Sequence, residues 1–279
     1  MLYKELYEYG QAKLKQAAVQ EAELDARLLL EYICQTDRST LFAHPEREIS
    51  EEEQKAYEEG IEKRAAHIPL QQITGTQNFM GFDFLVNEHV LIPRQDTEIL
   101  VEEVMQHLHD GMRLLDVCTG SGCILLSLLK YSNDCEGVGV DLSQEALKVA
   151  KENARILEKS NQATFLCGDL LSPVDGTFDI IVSNPPYIRT EVIDTLMPEV
   201  RDHEPRMALD GKEDGLYFYR RITEQAGKHL LRGGKLFFEI GFDQGQQVKD
   251  LMETNGFKEV EIRQDYARLD RVVYGTYYG

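Results

Sequence analysis

The 279-residue sequence predicts an α/β protein: a mostly parallel, seven-stranded sheet covered by helices and preceded by a small helical bundle. Two observations carry this. From Arg113 onward, short apolar runs alternate with helical stretches in the β-α-β pattern of a parallel sheet. Within that pattern, Phe178-Asp179-Ile180-Ile181-Val182-Ser183 is short, β-branched and unbroken, as expected of a strand buried on both faces. It stops in Asn184-Pro185-Pro186-Tyr187, where neither proline can continue it.

In chain order, residues 1–68 read as a helical domain. Tyr3, Leu6, Tyr7, Leu14, Ala17 and Ala18 recur at helical spacing, and Leu24, Leu28, Leu29, Tyr32 and Ile33 repeat the pattern after an acidic break. Ser50-Glu51-Glu52-Glu53 is a capping box that opens a third helix, which runs to about His67 before Pro69. Residues 69–92 read as an extended hairpin linker, with Gln72-Ile73-Thr74 leading into it and Phe82-Asp83-Phe84-Leu85-Val86 alternating beyond a Gly81 break. Residues 93–279 form the sheet domain. Thr97 or Asp96 is expected to cap a helix running to about His109. Strands follow at Arg113–Val117, Gly137–Val140, Thr164–Cys167 and the Phe178 run, with Ser143 capping a helix through Leu157. A helix over Leu216–Leu230, a Gly233-Gly234 turn into Lys235–Ile240, and two last strands near Val260–Ile262 and Val272–Thr276 complete the chain.

Composition narrows the function. The formal net charge of −19 argues against strong binding to bare nucleic acid, where affinity comes from Lys and Arg neutralising phosphates. No apolar run is long enough to span a membrane, and the acidic start has no signal-peptide core, so a cytoplasmic protein is expected. Five scattered cysteines and seven histidines show no metal-ligand spacing, so no metal is expected.

The chemistry gathers at strand ends, the edge where open α/β sheets bind ligands. Cys118-Thr119-Gly120-Ser121-Gly122 lies between a strand and its helix, where glycines let a ligand approach backbone N–H groups. Asp141 closes the second strand, placed to accept from both hydroxyls of an adenosine ribose, and Asp169-Leu170 closes the third, placed to flank the adenine. At the fourth, the Asn184 oxygen and the Pro185 carbonyl are two acceptors, which match the two donors of a planar NH2 group, either an amide or an aminopurine. Tyr187 would offer a flat face to that group. Taken alone, such a corner also serves as a stiff turn.

Together these motifs resemble the S-adenosylmethionine-dependent methyltransferases that modify amide or amino nitrogens. Within that group, Pro69-Leu70-Gln71-Gln72-Ile73-Thr74-Gly75, Leu91-Ile92-Pro93-Arg94-Gln95-Asp96-Thr97-Glu98, Pro198-Glu199-Val200-Arg201 and Ala208-Leu209-Asp210-Gly211 resemble the peptide chain release factor glutamine methyltransferases over nearly the whole chain. The resemblance implies a Rossmann-like class I methyltransferase sheet and S-adenosyl-L-methionine held by Cys118 to Gly122, Asp141, Asp169, Leu170 and Asn184. It implies a substrate glutamine in the Gly-Gly-Gln loop of class 1 release factors, placed by Asn184, Pro185, Pro186 and Tyr187, with residues 1–68 helping to hold that partner and the enzyme acting as a monomer. The chain departs from the family pattern at Cys118 and Lys212, where Gly is usual, at Gln72 (Tyr) and at Gln95 (Pro). The rival readings are methylation of adenine in nucleic acid, an NAD-dependent dehydrogenase, disfavoured because the loop lacks the third glycine of the dinucleotide pattern, and a non-catalytic nucleotide-binding module.

Overall fold

The computed structural model describes residues 1–279, which divide into two compact units. The first is Met1–Thr76 with Met197–His203; the second is Gln77–Leu196 with Glu204–Gly279. No helix is long and apolar enough to cross a membrane.

The first unit holds α1 (Tyr3–Gln16), α2 (Ala22–Ile33), α3 (Arg38–Ala43), α4 (Glu51–Ala65) and α5 (Leu70–Thr74). Leu6 and Leu14 of α1, Ala26, Leu29 and Leu30 of α2, and Tyr57 and Ile61 of α4 form its core. The backbone of α1 comes so close to α4 that a Cβ at Gly10 would overlap the Tyr57 ring. The Ser50 capping box is present, with its hydroxyl accepting from Glu53 N at 3.2 Å and the Glu53 carboxylate accepting from Ser50 N at 2.9 Å. Two short helices go beyond the sequence reading. Asp37 caps α3 through Thr40 N, and Gln72-Ile73-Thr74 is helical, not extended, because Pro69 and a left-handed Gly75 frame a single turn there.

In the same unit Arg64, 6% exposed, donates to Asp25 Oδ2 at 2.7 Å and to Glu199 Oε1 at 2.9 Å. His67 Nδ1 lies 3.1 Å from the same Glu199 oxygen, and Gln72 Nε2 donates to the His203 carbonyl at 2.8 Å. Helix Pro198–His203, distant in sequence, is held by these bonds.

The second unit starts with a hairpin of β1 (Thr76–Phe79) and β2 (Phe82–Leu85), fastened by Glu98 accepting from Met80 N and Asn153 accepting from Leu85 N, both at 2.7 Å. The chain then runs α6 (Gln95–Met105), β3 (Arg113–Val117), α7 (Cys123–Lys130), β4 (Glu136–Asp141), α8 (Gln144–Ile156), β5 (Ala163–Cys167) and β6 (Phe178–Ser183). Short helices α9 (Thr190–Ile193), α10 (Pro198–His203) and α11 (Arg206–Leu209) precede α12 (Tyr217–Ala226), β7 (Leu230–Glu239), α13 (Gly245–Thr254), β8 (Phe257–Gln264) and β9 (Asp270–Tyr277). The sheet order is β5-β4-β3-β6-β7-β9-β8, parallel up to β7 and antiparallel at β9 and β8.

Alternate residues of each central strand enter opposite cores, which is why these strands read as continuous apolar runs. Leu114, Ile180, Val182 and Phe237 pack with α6 and α7 on one face. Leu115, Ile181, Leu236 and Phe238 pack with Tyr219 and Ile222 of α12 and Val248 and Met252 of α13 on the other. The structure moves three expected features. The helix expected to be capped by Thr97 or Asp96 and to run to about His109 begins at Gln95 after an Arg94 cap and ends at Met105, so Asp96 and Thr97 both lie inside its first turn. The helix expected to reach Leu230 stops at Ala226. Gly233-Gly234 forms an irregularity within β7, which pairs Phe178 with Leu230 and then Ile180 with Lys235, and is not a turn ahead of the strand.

Replacing Arg64 by alanine leaves buried Asp25 and half-buried Glu199 without that cation, so unfolding in urea should show a loss of ~3 to 5 kcal/mol. A loss below about 1 kcal/mol, the value of an exposed pair, would contradict the buried cluster.

Candidate active site

β3 and β6 are neighbours in the sheet, yet the strand order runs away from them in opposite directions, so the loops leaving their carboxyl ends part and open a crevice. The two ends are joined by the Ser183 hydroxyl, which donates to the Val117 carbonyl at 2.6 Å. Residues from four strand ends line the crevice: Cys118, Thr119, Gly120 and Ser121, then Asp141, then Asp169 and Leu170, then Asn184 and Pro186.

The loop after β3 is held from below. Asp116, fully buried, accepts from the Thr119 hydroxyl at 2.6 Å, and Thr119 N donates to the Val140 carbonyl at 2.9 Å. Cys118, Gly120 and Gly122 all have positive φ, of 63°, 55° and 79°. A Cβ on Gly120 would meet no atom within 4 Å, so the wall is open there, whereas one on Gly122 would press on Leu126 and Ala150. Gly122 therefore serves helix packing and does not face the crevice.

Asp141 accepts from Gly120 N and from Ser143 N, each at 2.9 Å. Burial raises its pKa, and the N–H groups of Ser143 and Gly120 oppose the shift. A carboxylate has about four acceptor positions, so roughly two remain for a ligand. Asp169 is not free in the same way: Arg221 grips both its oxygens at 3.0 and 2.7 Å while lying over the Tyr217 ring.

At the β6 corner, Asn184 Nδ2 donates to Thr97 Oγ1 at 3.3 Å. Neither Asn184 Oδ1 nor the Pro185 carbonyl accepts a hydrogen bond from any group of the chain. Asn184 and Pro186 line the crevice on either side of buried Pro185, and Tyr187 follows as a half-buried residue. The Tyr187 ring, expected from the sequence to present a face to the ligand, turns inward, and its hydroxyl donates to Glu239 Oε1 at 3.4 Å. Burial raises the Tyr187 pKa above that of an ordinary phenol. Its carbonyl accepts from Gln244 Nε2 at 3.1 Å, and a Cβ on Gly211 would come within 2.7 Å of its Cα, so only glycine allows this approach. Glu239 is 2% exposed, its Oε2 has no partner, and burial pushes its pKa up to about 7 against the pull of the Thr97 hydroxyl and Arg271.

Sequence reasoning missed the parts of the wall supplied from elsewhere: Thr97, Leu142, Met207, Lys212 and Phe218. Leu142 carried a signal, a large apolar residue directly after a strand-end acid, and it is 59% exposed here. The others come from segments whose placement depends on contacts distant in sequence.

Models of two families match the chain: the PrmC N-terminal domain over residues 5–75 and the methyltransferase small domain over residues 94–199. A release factor glutamine methyltransferase of Clostridium acetobutylicum is 46% identical over 254 residues, covering 89% of each chain. One from Caulobacter vibrioides is 42% identical over 267 residues, 95% of this chain and 92% of its own. Among solved structures, a methyltransferase from Pyrococcus furiosus superposes with a TM-score of 0.54 at 20% identity, covering 71% of this chain and 90% of its own, a likeness that bears on the fold alone.

Asp116 gives the site a measurable pH signature. Burial lifts its pKa from 3.8 to about 7, so between those values the folded chain keeps a proton that the unfolded chain has lost, and stability falls as pH rises. Asp116→Asn removes that loss. Its stability relative to the unmodified protein should improve by roughly 1 kcal/mol or more from about pH 4 to about pH 8. A difference that stays flat across this range in denaturant titrations would mean that Asp116 is ionised throughout.

Proposed function

The chain belongs to the release factor glutamine methyltransferases, and on that premise we propose that the crevice methylates the side-chain amide nitrogen of the glutamine in the Gly-Gly-Gln motif of class 1 peptide chain release factors. The enzyme is S-adenosyl-L-methionine-dependent. The observation that carries the substrate assignment is the pair of unpartnered acceptors, Asn184 Oδ1 and the Pro185 carbonyl, in consecutive residues at the sheet's switch point.

The residues present fit the cofactor. Asp141 keeps acceptor positions for the two ribose hydroxyls, Gly120 leaves the wall open where a side chain would intrude, and Leu142 and Leu170 offer apolar surface to adenine. When bound, the cofactor supplies an electrophilic methyl on a sulfonium. The chain's own task is to present the nucleophile. An amide nitrogen is a poor one because its lone pair is delocalised into the carbonyl. Asn184 Oδ1 and the Pro185 carbonyl accept its two N–H bonds, fix it in line with the methyl, and draw electron density toward the nitrogen. The new N–methyl bond would form as the methyl–sulfonium bond breaks, the neutral thioether would be the leaving group, and one of the two N–H protons would be released to solvent. Positioning of this kind is worth ~7 to 11 kcal/mol of a barrier, enough to work without a dedicated base.

The same two acceptors would hold the exocyclic amine of adenine. The net charge of −19 weighs against a nucleic acid partner. Incubation with labelled S-adenosylmethionine and, separately, release factor, transfer RNA and DNA should place label on the factor; preferential uptake by either nucleic acid would overturn the substrate. Asn184→Ala should lower turnover by ~100-fold or more, and Asp141→Ala should weaken cofactor binding by ~1 to 3 kcal/mol in calorimetry. Unchanged values would remove those residues from these roles.

The N-terminal helices dock the factor. What supports this is a groove among α1, α2 and α3 lined by Tyr3, Tyr7, Leu30, Leu41 and Phe42, with Phe42 61% exposed. Phe42→Asp should raise KM for the full-length factor and leave cofactor affinity where it was. An unaltered KM would take the docking role away from this face.

A further inference from the structure

The pairing of β6 with its neighbours ends at Ser183, so the acceptors on Asn184 and Pro185 stand one and two residues beyond the last position that the sheet itself fixes. Acceptors that aim a nucleophile must be held to a fraction of an ångström by the groups around them. Two flanking segments supply that support.

On one side is the first turn of α6. Asn184 Nδ2 donates to Thr97 Oγ1 at 3.3 Å, and Thr97 N donates to the Arg94 carbonyl at 3.1 Å. On the other side is the stretch Pro205–Gly211, which includes α11. Ile188 N donates to the Leu209 carbonyl at 3.0 Å, Gly211 N donates to the Ile188 carbonyl at 2.8 Å, and a Cβ on Gly211 would overlap the Tyr187 backbone.

Arg94 joins the two flanks to each other. Its Nη2 donates to both carboxylate oxygens of Glu204 at 2.7 Å, across 110 residues. Pro93 and Pro205, each next in the chain to one partner, both line the crevice. The contacts close a triangle that runs from the Asn184 corner to α6, from α6 through the ion pair to Pro205–Gly211, and back to the corner at Ile188. Two sides of a triangle pivot where they meet; the third side removes the pivot. We propose that Arg94 and Glu204 are positioning residues for methyl transfer, fixing the Asn184 and Pro185 acceptors in the crevice. The inference rests on the proposed function, because it assigns no role unless a substrate nitrogen is held there. Neither residue is bonded to Asp141 or Asp169, so the effect falls on the transfer step and not on cofactor binding.

Glu204 is 6% exposed, so removing its cation costs stability whether or not the pair serves the reaction. The test separates the two. It compares the unmodified full-length protein with Arg94→Ala, with Arg94→Lys, and with a double variant carrying Arg94→Leu and Glu204→Gln. Tm, the single-turnover rate of release factor methylation at saturating factor and cofactor, and S-adenosylhomocysteine affinity by calorimetry are measured for each. Arg94→Ala should slow the single turnover roughly tenfold or more, since a misplacement of about 1 Å at the reacting centre costs on the order of 100-fold, and should retain its affinity for S-adenosylhomocysteine. Both bonds come from one nitrogen, a geometry that an ammonium reproduces, so Arg94→Lys should recover most of the rate. The double variant replaces the stranded carboxylate with a neutral amide, so it should regain Tm and yet stay as slow as Arg94→Ala. A double variant that regains its rate along with its Tm, an Arg94→Lys enzyme as slow as Arg94→Ala, or a fall in S-adenosylhomocysteine affinity that matches the fall in rate would overturn this inference alone. If the unmodified enzyme leaves the factor unmethylated, the functional reading fails and takes this one with it.

Discussion

The pairing of β3 with β6 is the constraint on which the rest of the molecule depends. Both strands are buried on two faces, so their register is set by cores above and below, and Ser183 bonded to the Val117 carbonyl locks their ends together. Because the sheet order diverges at this pair, the glycine loop and the Asn184 corner are carried to opposite sides of one crevice. The two prolines then stop the ladder at once and leave the Asn184 oxygen and the Pro185 carbonyl without partners in the chain.

Around that crevice the fold tolerates features that oppose stability. Asp116 and Glu239 are carboxyl groups buried beneath the site, each with one oxygen lacking a partner and a pKa pushed up to about 7. Cys118 and Lys212 hold positive φ, 63° and 72°, at two positions where the family pattern has glycine. Side chains there cost on the order of 1 kcal/mol each relative to glycine. Such strain persists only where surrounding structure over-determines it, and the Cys118 loop is held by bonds from Thr119 and Gly120 to β4 and Asp141.

What was legible in the sequence was whatever is encoded locally. Asp141, Asp169 and Asn184 stand at or just past strand ends because a short strand-like run stops before each, and the Ser50 box names its own helix start. What was not legible depends on contacts between distant residues. Thr97 reads as a cap from its neighbours, and only the bond to Asn184, 87 residues away, shows another use. Helix α10 sits with the N-terminal helices because Arg64 pairs with Glu199 across 135 residues. Tyr187 looked like a ligand platform, but its hydroxyl finds Glu239 at the end of β7, so its ring faces the core. Of the departures from the family pattern, Gln95 is explained by position: it is the first residue of α6, where proline's missing N–H goes unused.

The central claim is that two acceptors at the end of β6 hold an amide nitrogen for methylation. Fragmentation mass spectrometry of a class 1 release factor treated with the enzyme and S-adenosylmethionine tests it most directly. The account predicts one added methyl, on the side-chain nitrogen of the glutamine in Gly-Gly-Gln, and none on a factor whose glutamine is replaced by alanine. A methyl on the alanine version, or on any other residue of the factor, would contradict it.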